Sequence, residues 1–456
     1  MRYLAQVFRS GNWRQEFRAL LTLAGPLIVN NLAIAGIHFA DAVMAGRIGA
    51  ETLAAVAIGG SIWFFGFTIC LGILMAISPI AARHYGAGNP ELIGRYTRQG
   101  IYFALIIAVI IIVAFHFLVG DALGAIGIDA GFRGLTESYV LAIVWGAPGI
   151  FVFLALRFTT EGIGETKPIM YASVASLVIN VFLNWVLMFG NLGAPALGAA
   201  GCGIASAITM WLMMIGLGVY MYRAKKYAPL KIFARVGKFR PESVKEILVL
   251  GVPIAVTITA EAGLFNAVSV LMGTRGAAIA AAHQVAINFA MTSFMIPLAL
   301  SAAITIRVGH ALGAGNPSAA RFSGAIGLMI CALFMTCSAA FMLMFRDTVV
   351  LIYTNDPAVT SIAVSLLLAA AIFQIGDGVQ IGAAGALRGY KDTRFPMVIN
   401  VFAYWVLAFP LAYMAAVTYK APPVYTWGAF IVGLWVAAVL LTWRFFRLSK
   451  AELATA

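Results

Sequence analysis

The five residues Gly86-Ala87-Gly88-Asn89-Pro90 recur as Gly313-Ala314-Gly315-Asn316-Pro317, an offset of 227 in a chain of 456 residues. Outward from that pair the offset holds. Pro26 matches Pro253, Gly46 matches Gly273, Gly49 matches Gly276, Gly100 matches Gly327 and Gly162 matches Gly389. Pro168 and Pro396 match at 228. The matched residues are mainly glycine and proline, which set turns, kinks and close helix contacts. Two halves with one backbone plan are implied. A second echo, VINVF at 178–182 and again at 398–402, falls at 220. It would need a shift of seven or eight residues in mid-bundle, so it stands outside the repeat.

The repeat is embedded in apolar sequence. The chain is 62% hydrophobic and 10% charged, with a mean hydropathy of +0.96. Soluble domains carry about 25% charged residues, so the class is membrane. A helical span needs roughly 20 mostly apolar residues. Such runs are expected at 17–45, 52–80, 99–119, 136–158, 168–190, 197–222, 246–272, 278–304, 321–345, 358–386, 396–418 and 424–446. They are too long and too closely spaced for strands of a barrel. The fold class is therefore an all-α membrane protein, with twelve transmembrane helices in two pseudo-symmetric six-helix bundles. The expected lobes are 1–222 and 246–456, joined by a basic cytoplasmic linker at 223–245.

Charge tests the count. With an even number of spans, both termini and the linker share a side. That side holds 25 of the 30 Lys and Arg, among them Arg2, Arg9, Arg14 and Arg18, eight residues from Arg223 to Lys245, and Arg388, Lys391 and Arg394. The other side keeps Arg47, Arg133, Arg275, Arg346 and Lys420. The positive-inside rule then places both termini in the cytoplasm. The net charge of +13 sits in short loops, which argues against a nucleic-acid partner. Cys70, Cys202, Cys331 and Cys337 show no CxxC or metal spacing and read as small hydrophobes. The first apolar run is long enough to span, so no cleavable leader is expected.

Acids inside the spans carry the functional signal. Glu261 and Asp377 break long apolar runs, and no Lys or Arg within those expected spans neutralises them. A charge at the bilayer centre costs about 2.5–3.5 kcal/mol on insertion scales and faces the bundle interior or water. A proton, a hard cation such as Na⁺ or a cationic substrate are the candidate partners, and a protonated acid used for helix packing is the bland alternative. Asp41 lies near the end of the first run, where a solvated helix-end acid is a stronger rival. None of the three is repeat-symmetric: their mates are Val268, Ile34 and Ile150. Asn180 and Asn184 share a helix face, as cation ligands or as interhelical glue. Ser206 and Thr209 either join them or bond back to their own helix. His283 and Gln284 fall in mid-span, where a lone histidine is a proton relay or, more often, a packing residue. Phe64, Phe65, Phe294, Phe373 and Trp185 are candidates for stacking flat cations or for plain packing.

FADAVMAG (39–46), YGAGNP (85–90), PALGAAGCGIASA (195–207), ALGAGNP (311–317), YTNDPAV (353–359) and ALRGYKDTRFP (386–396) together resemble the multidrug and toxic compound extrusion family, in its bacterial NorM branch. The resemblance covers nearly the whole chain. It implies two lobes in the bacterial inner membrane and antiport of cationic amphiphilic small molecules against Na⁺ or H⁺. A monomer in contact with membrane lipid is expected. The family's cation-binding acids match Glu261 and Asp377, as a Na⁺ site, and its N-terminal acid matches Asp41, with Asn180 and Asn184 as partners. Ser206 takes the place of a hydroxyl partner that is often threonine. Phe294 stands where relatives have tyrosine, keeping a ring and losing a hydroxyl. A flippase for an anionic lipid-linked precursor is the alternative, disfavoured by the lack of a Lys or Arg deep in any expected span. An enzyme is not expected, because no HExxH, GxSxG or comparable set is present.

Overall fold

A computed structural model describes residues 13–125, 128–234, 237–354 and 356–455. Arg2, Arg9, Arg235 and Asn355, used above, lie outside them. Among the described residues there are no strands, and twelve helices are long and apolar enough to cross a membrane. They are α1 Trp13–Ile48, α2 Ala50–Gly86, α3 Pro90–Ala125, α4 Gly131–Gly162, α5 Lys167–Phe189 and α6 Gly198–Arg223. The second half follows as α7 Pro241–Gly273, α8 Ala277–Gly313, α9 Pro317–Met344, α10 Pro357–Gly389, α11 Arg394–Thr418 and α12 Pro423–Ala454. Most outrun the expected spans. At 37 residues, α8 is about 55 Å long at 1.5 Å per residue, against a hydrocarbon core of about 30 Å. Helices therefore continue past the apolar runs, and the polar residues on these extensions find helical partners of their own.

The twelve elements form two compact units. One comprises Pro26–Tyr85 and Asn89–Ala255; the other comprises residues up to Gly25, Gly86–Gly88 and Val256–Ala456. The first turns of α1 thus belong with the second half of the chain, and the first turns of α7 with the first half. The changes of unit inside α1 and α7 fall at Pro26 and within three residues of Pro253, which are repeat mates. Inside one unit α4 packs against α2, α3 and α6; inside the other α10 packs against α8, α9 and α12. Outward faces stay apolar: α3 exposes Val109, Ile110, Val113 and Phe117, as a lipid-facing helix must.

The repeat is realised in backbone and packing. Gly88 and Gly315 both adopt φ +69°, a left-handed turn that favours glycine. In each turn the asparagine amide donates to a carbonyl five residues back, Asn89 to His84 and Asn316 to Ala311, both at 2.9 Å. Helix approaches repeat as well. A Cβ on Gly162 would lie 2.5 Å from Ala81 Cβ and 2.8 Å from the Ser78 carbonyl oxygen. On Gly389 it would lie 2.7 Å from Val308 Cβ and 3.1 Å from the Thr305 carbonyl oxygen. Ala81 and Val308, like Ser78 and Thr305, are 227 apart. One departure is α11, which winds as a π-helix at Phe402–Ala408 and Met414–Thr418 instead of the regular span expected at 396–418.

Candidate functional site

Each unit encloses a polar cluster. In the first unit, α6 opens with the glycine-rich stretch 198–203, and small residues admit close neighbours. A Cβ on Gly201 would meet the Leu187 carbonyl oxygen at 2.5 Å, and one on Gly203 the Tyr139 oxygen at 2.6 Å. This draws α4, α5 and α6 together beside Asp41 of α1. Asn184 Nδ2 donates to Asp41 Oδ1 at 2.6 Å and to Asn180 Oδ1 at 3.1 Å, and Asn180 Nδ2 reaches Ser206 Oγ at 3.4 Å. The Ser206 hydroxyl and the Cys202 thiol also lie within reach of the Asp41 carboxylate. Three donors therefore converge on one carboxylate, while Asn184 Oδ1 is buried with no partner. A cation or a proton donor would complete that acceptor.

One expectation changes here and two open alternatives close. Asp41 is buried, 6% exposed, because α1 runs on to Ile48; it is not a solvated helix-end acid. Cys202 is not only a small hydrophobe, since its thiol lies beside Asp41. Ser206 joins the cluster, whereas Thr209 bonds back to Ala205.

In the second unit Asp377 lies between Gly376 and Gly378 on α10. A Cβ on Gly376 would be 3.0 Å from Trp435 Nε1, and one on Gly378 2.5 Å from Met335 Cγ, so both neighbours are glycines where α12 and α9 press close. Glu261 of α7 is in electrostatic reach of Asp377, and Tyr404 is in reach of both. The Trp405 indole donates to the Ala260 carbonyl at 3.0 Å, which ties the π-wound α11 to α7 next to Glu261. Polar atoms of this unit are left over: Asp377 Oδ1, Tyr404 Oη, Thr259 Oγ1, both amide atoms of Gln380 and both of Asn400 are buried without partners. An orphaned buried polar atom costs about 1–3 kcal/mol, and native interiors keep few of them.

One further expectation fails in this unit, and one alternative closes. Arg388, expected in a loop, lies in the last turn of α10 and is 7% exposed. Its Nη2 donates to Ser301 Oγ at 2.6 Å, and its charge reaches Glu261. A guanidinium thus does act on an intramembrane acid, and a buried arginine does stand at the end of a span. Phe373 is core: it is 2% exposed and packs against Phe265, Trp427 and Phe430, so no flat cation reaches it. Phe64, Phe65 and Trp185 are exposed.

His283 is a satisfied packing residue. The Trp427 indole donates to its Nδ1 at 3.1 Å, and its Nε2 lies 3.0 Å from Ser269 Oγ, which donates to the Phe265 carbonyl. An indole N–H can only donate, so Nδ1 is the acceptor and Nε2 carries the proton. Gln284 points elsewhere. It is exposed and bonds Asn288 Oδ1 at 3.3 Å, in a polar stripe continued by Thr292. Phe294 is half-buried on α8. Tyr404 was missed at the sequence level, where aromatic abundance hides one tyrosine among fifteen.

The features so far define a duplicated twelve-helix membrane protein with a buried polar cluster in each half. The chain belongs to the MatE family, whose model matches residues 26–186 and again 253–414. The two matches begin 227 residues apart, the offset of the glycine–proline repeat. The chain is 36% identical to the multidrug resistance protein PmpM of Pseudomonas aeruginosa over 441 residues, covering 96% of this chain and 92% of that one. It is 37% identical to the multidrug resistance protein NorM of Aliivibrio fischeri over 442 residues, covering 96% of each. The fold is shared with the eukaryotic MATE transporter AtDTX14, at a TM-score of 0.86 and 23% identity over 97% of this chain and 99% of that one. It is also shared with a MOP superfamily transporter from Pyrococcus furiosus, at 0.86 and 19% identity over 96% of each.

Proposed function

We propose that this protein exports cationic amphiphilic small molecules across the bacterial inner membrane by antiport with Na⁺, with Glu261 and Asp377 as the coupling site. The carrying observation is the unpartnered Asp377 Oδ1 in a buried interior shared with Glu261 and Tyr404. Two carboxylates supply charge, and Tyr404, Thr259 and Gln380 offer neutral oxygens of the kind a hard cation takes. The names of the relatives PmpM and NorM support the drug-resistance reading. In this reading the protein acts as a monomer, with lobes 1–222 and 246–456 joined by 223–245 and both termini cytoplasmic.

The Asp41 cluster favours a second reading, in which H⁺ is the coupling ion. The carboxylate with its three donors and the open Asn184 acceptor suit a site that gains and loses a proton. One experiment separates the two: ethidium efflux from proteoliposomes under an imposed Na⁺ gradient and, separately, an imposed H⁺ gradient. Efflux driven by Na⁺ and lost in Glu261→Gln and Asp377→Asn supports the first. Efflux driven by H⁺, intact in both variants and lost in Asp41→Asn, supports the second and sinks the first.

A further inference from the structure

Several of the unpartnered polar atoms of the second unit fall in one column. Asp377 and Gln380 are three residues apart on α10, and Asn400 and Tyr404 four apart on α11, so each pair shares a helix face. Tyr404 is in electrostatic reach of Asp377, which brings the two faces together at that level. From there the helices run antiparallel to the turn between Gly389 and Arg394. Gln380 and Asn400 are the next residues toward that turn on the meeting faces. They are 1% and 0% exposed, and among the described residues neither amide has a partner on nitrogen or oxygen. Thr393, seven residues before Asn400 and on its face, is also buried with its Oγ1 unpartnered. From Asp377 to the end of α10 the column is about 18 Å long at 1.5 Å per residue.

A packing role would pair these groups with one another. Ser173, the repeat mate of Asn400, is packed in that way: its hydroxyl donates to Asn30 Oδ1 at 2.5 Å. The repeat mates of Asp377, Gln380 and Tyr404 are Ile150, Phe153 and Leu177, so the scaffold closes without polar groups at these positions. Native interiors leave few polar atoms unsatisfied, and a buried water serves several of them at once. Beside the top of the column α11 winds as a π-helix at Phe402–Ala408, a winding frequent at functional sites. We infer that Gln380, Asn400 and Thr393 line a hydrated lane inside the second unit, through which the coupling cation passes between Asp377 and the cytoplasmic end of α10. Amide and hydroxyl oxygens are ligands that a hard cation accepts in place of water. Arg388 lies about three turns from Asp377 on the same face of α10, held by Ser301 Oγ at 2.6 Å and the Ala384 carbonyl at 3.3 Å. Its charge opposes a cation resting beside it, so the lane conducts and does not store. The cargo and the cytoplasmic end rest on the export reading; the water does not.

Water access is read by thiol chemistry. In the full-length protein Cys337→Ser removes the exposed native thiol, and Cys70, Cys202 and Cys331 are buried. In that background Gln380→Cys and Asn400→Cys are compared with Phe153→Cys and Ser173→Cys, at their repeat mates, in inside-out vesicles treated with aminoethyl methanethiosulfonate. The reagent attacks a solvated thiolate, so the two lane cysteines should react at least about tenfold faster than their mates. Silence of the three buried native thiols in the same samples reports an intact fold. Either lane cysteine reacting no faster than its mate overturns the inference. Passage of the cation is read separately, as movement of radiolabelled Na⁺ coupled to ethidium efflux in proteoliposomes. Asn400→Leu should slow it about tenfold, and Asn400→Gln should keep most of it. An unchanged rate in Asn400→Leu overturns the lane as the cation's route. Absence of coupled Na⁺ movement in the unaltered protein would instead sink the sodium reading, while the labelling contrast still decides the lane.

Discussion

Gly100→Ala and Gly327→Ala are repeat-related substitutions with different rescue requirements. At Gly100 on α3, a Cβ would stand 2.5 Å from Ile77 Cδ1, with Cγ1 at 3.5 Å. At Gly327 on α9, it would stand 2.3 Å from Ile304 Cγ1 and 2.6 Å from Cδ1, with Cβ at 3.5 Å. Ile77 and Ile304 are fully buried, and carbon pairs rest at about 3.5–4.0 Å, so each alanine overpacks a helix crossing by about 1–3 kcal/mol. Ile77→Val deletes Cδ1, the one atom in conflict with position 100. It costs about 0.5–1.5 kcal/mol alone but should recover most of the Gly100→Ala loss. Ile304→Val also deletes Cδ1 but leaves Cγ1 at 2.3 Å, so Gly327→Ala should not be rescued until position 304 becomes alanine. The assay is the apparent unfolding temperature of purified variants in one detergent, read as two double-mutant cycles. A unit of about 200 residues shifts by about 2–4 °C per kcal/mol, so each single glycine variant should lose about 2–12 °C. Equal rescue by the two valines, or none by either, would refute the packing account of the repeat.

Glu16→Gln removes the charge from a bidentate pair with Arg307, whose two contacts are 2.8 and 2.5 Å. Arg307 is partly solvated, which discounts the loss to about 1–2 kcal/mol, and a thermal midpoint unchanged in the variant would count against the pair. His283→Ala leaves the fully buried Trp427 N–H without an acceptor and should destabilise by about 1–3 kcal/mol; His283→Gln, which restores an acceptor, should recover part of it in the same melt. Cys202→Ser keeps a donor at Asp41 and should preserve ethidium efflux, whereas Cys202→Val removes it and should lower efflux at equal expression. Equal activity of the serine and valine variants would show that the thiol only fills space.

The helices and the duplication were readable because their signals are local or periodic: apolar runs of span length, and glycines and prolines at one offset. Glu261 and Asp377 stood out because a carboxylate in an apolar run is an anomaly at any distance. What escaped was set by tertiary contact. Arg388 reads as a loop cation because ALRGYKD is polar, yet α10 carries it one turn further and Ser301, 87 positions away, takes its N–H. Cys202 reads as a small residue among glycines, and only the approach of α1 puts its thiol beside a carboxylate. Tyr404 carries no sequence signature, since nothing in a run of aromatics announces a π-wound turn. The rival reading of Asp41, a solvated helix end, stays open in the sequence because the hydropathy run ends before its helix does.

The division of α1 at Pro26 bears on how the chain is made. Glu16 and Arg307 are 291 positions apart, and a ribosome adds roughly 5–20 residues per second. The first turns of α1 therefore wait on the order of 15–60 s for the arginine that holds them, through the synthesis of six complete spans. The first segment translated belongs to the last unit assembled, and α7 shows the converse, since its opening turns finish the unit made before it. Each half of the chain carries the opening turns of a helix whose contacts lie in the other's unit, so cutting at the central linker would yield two fragments each lacking a piece carried by the other.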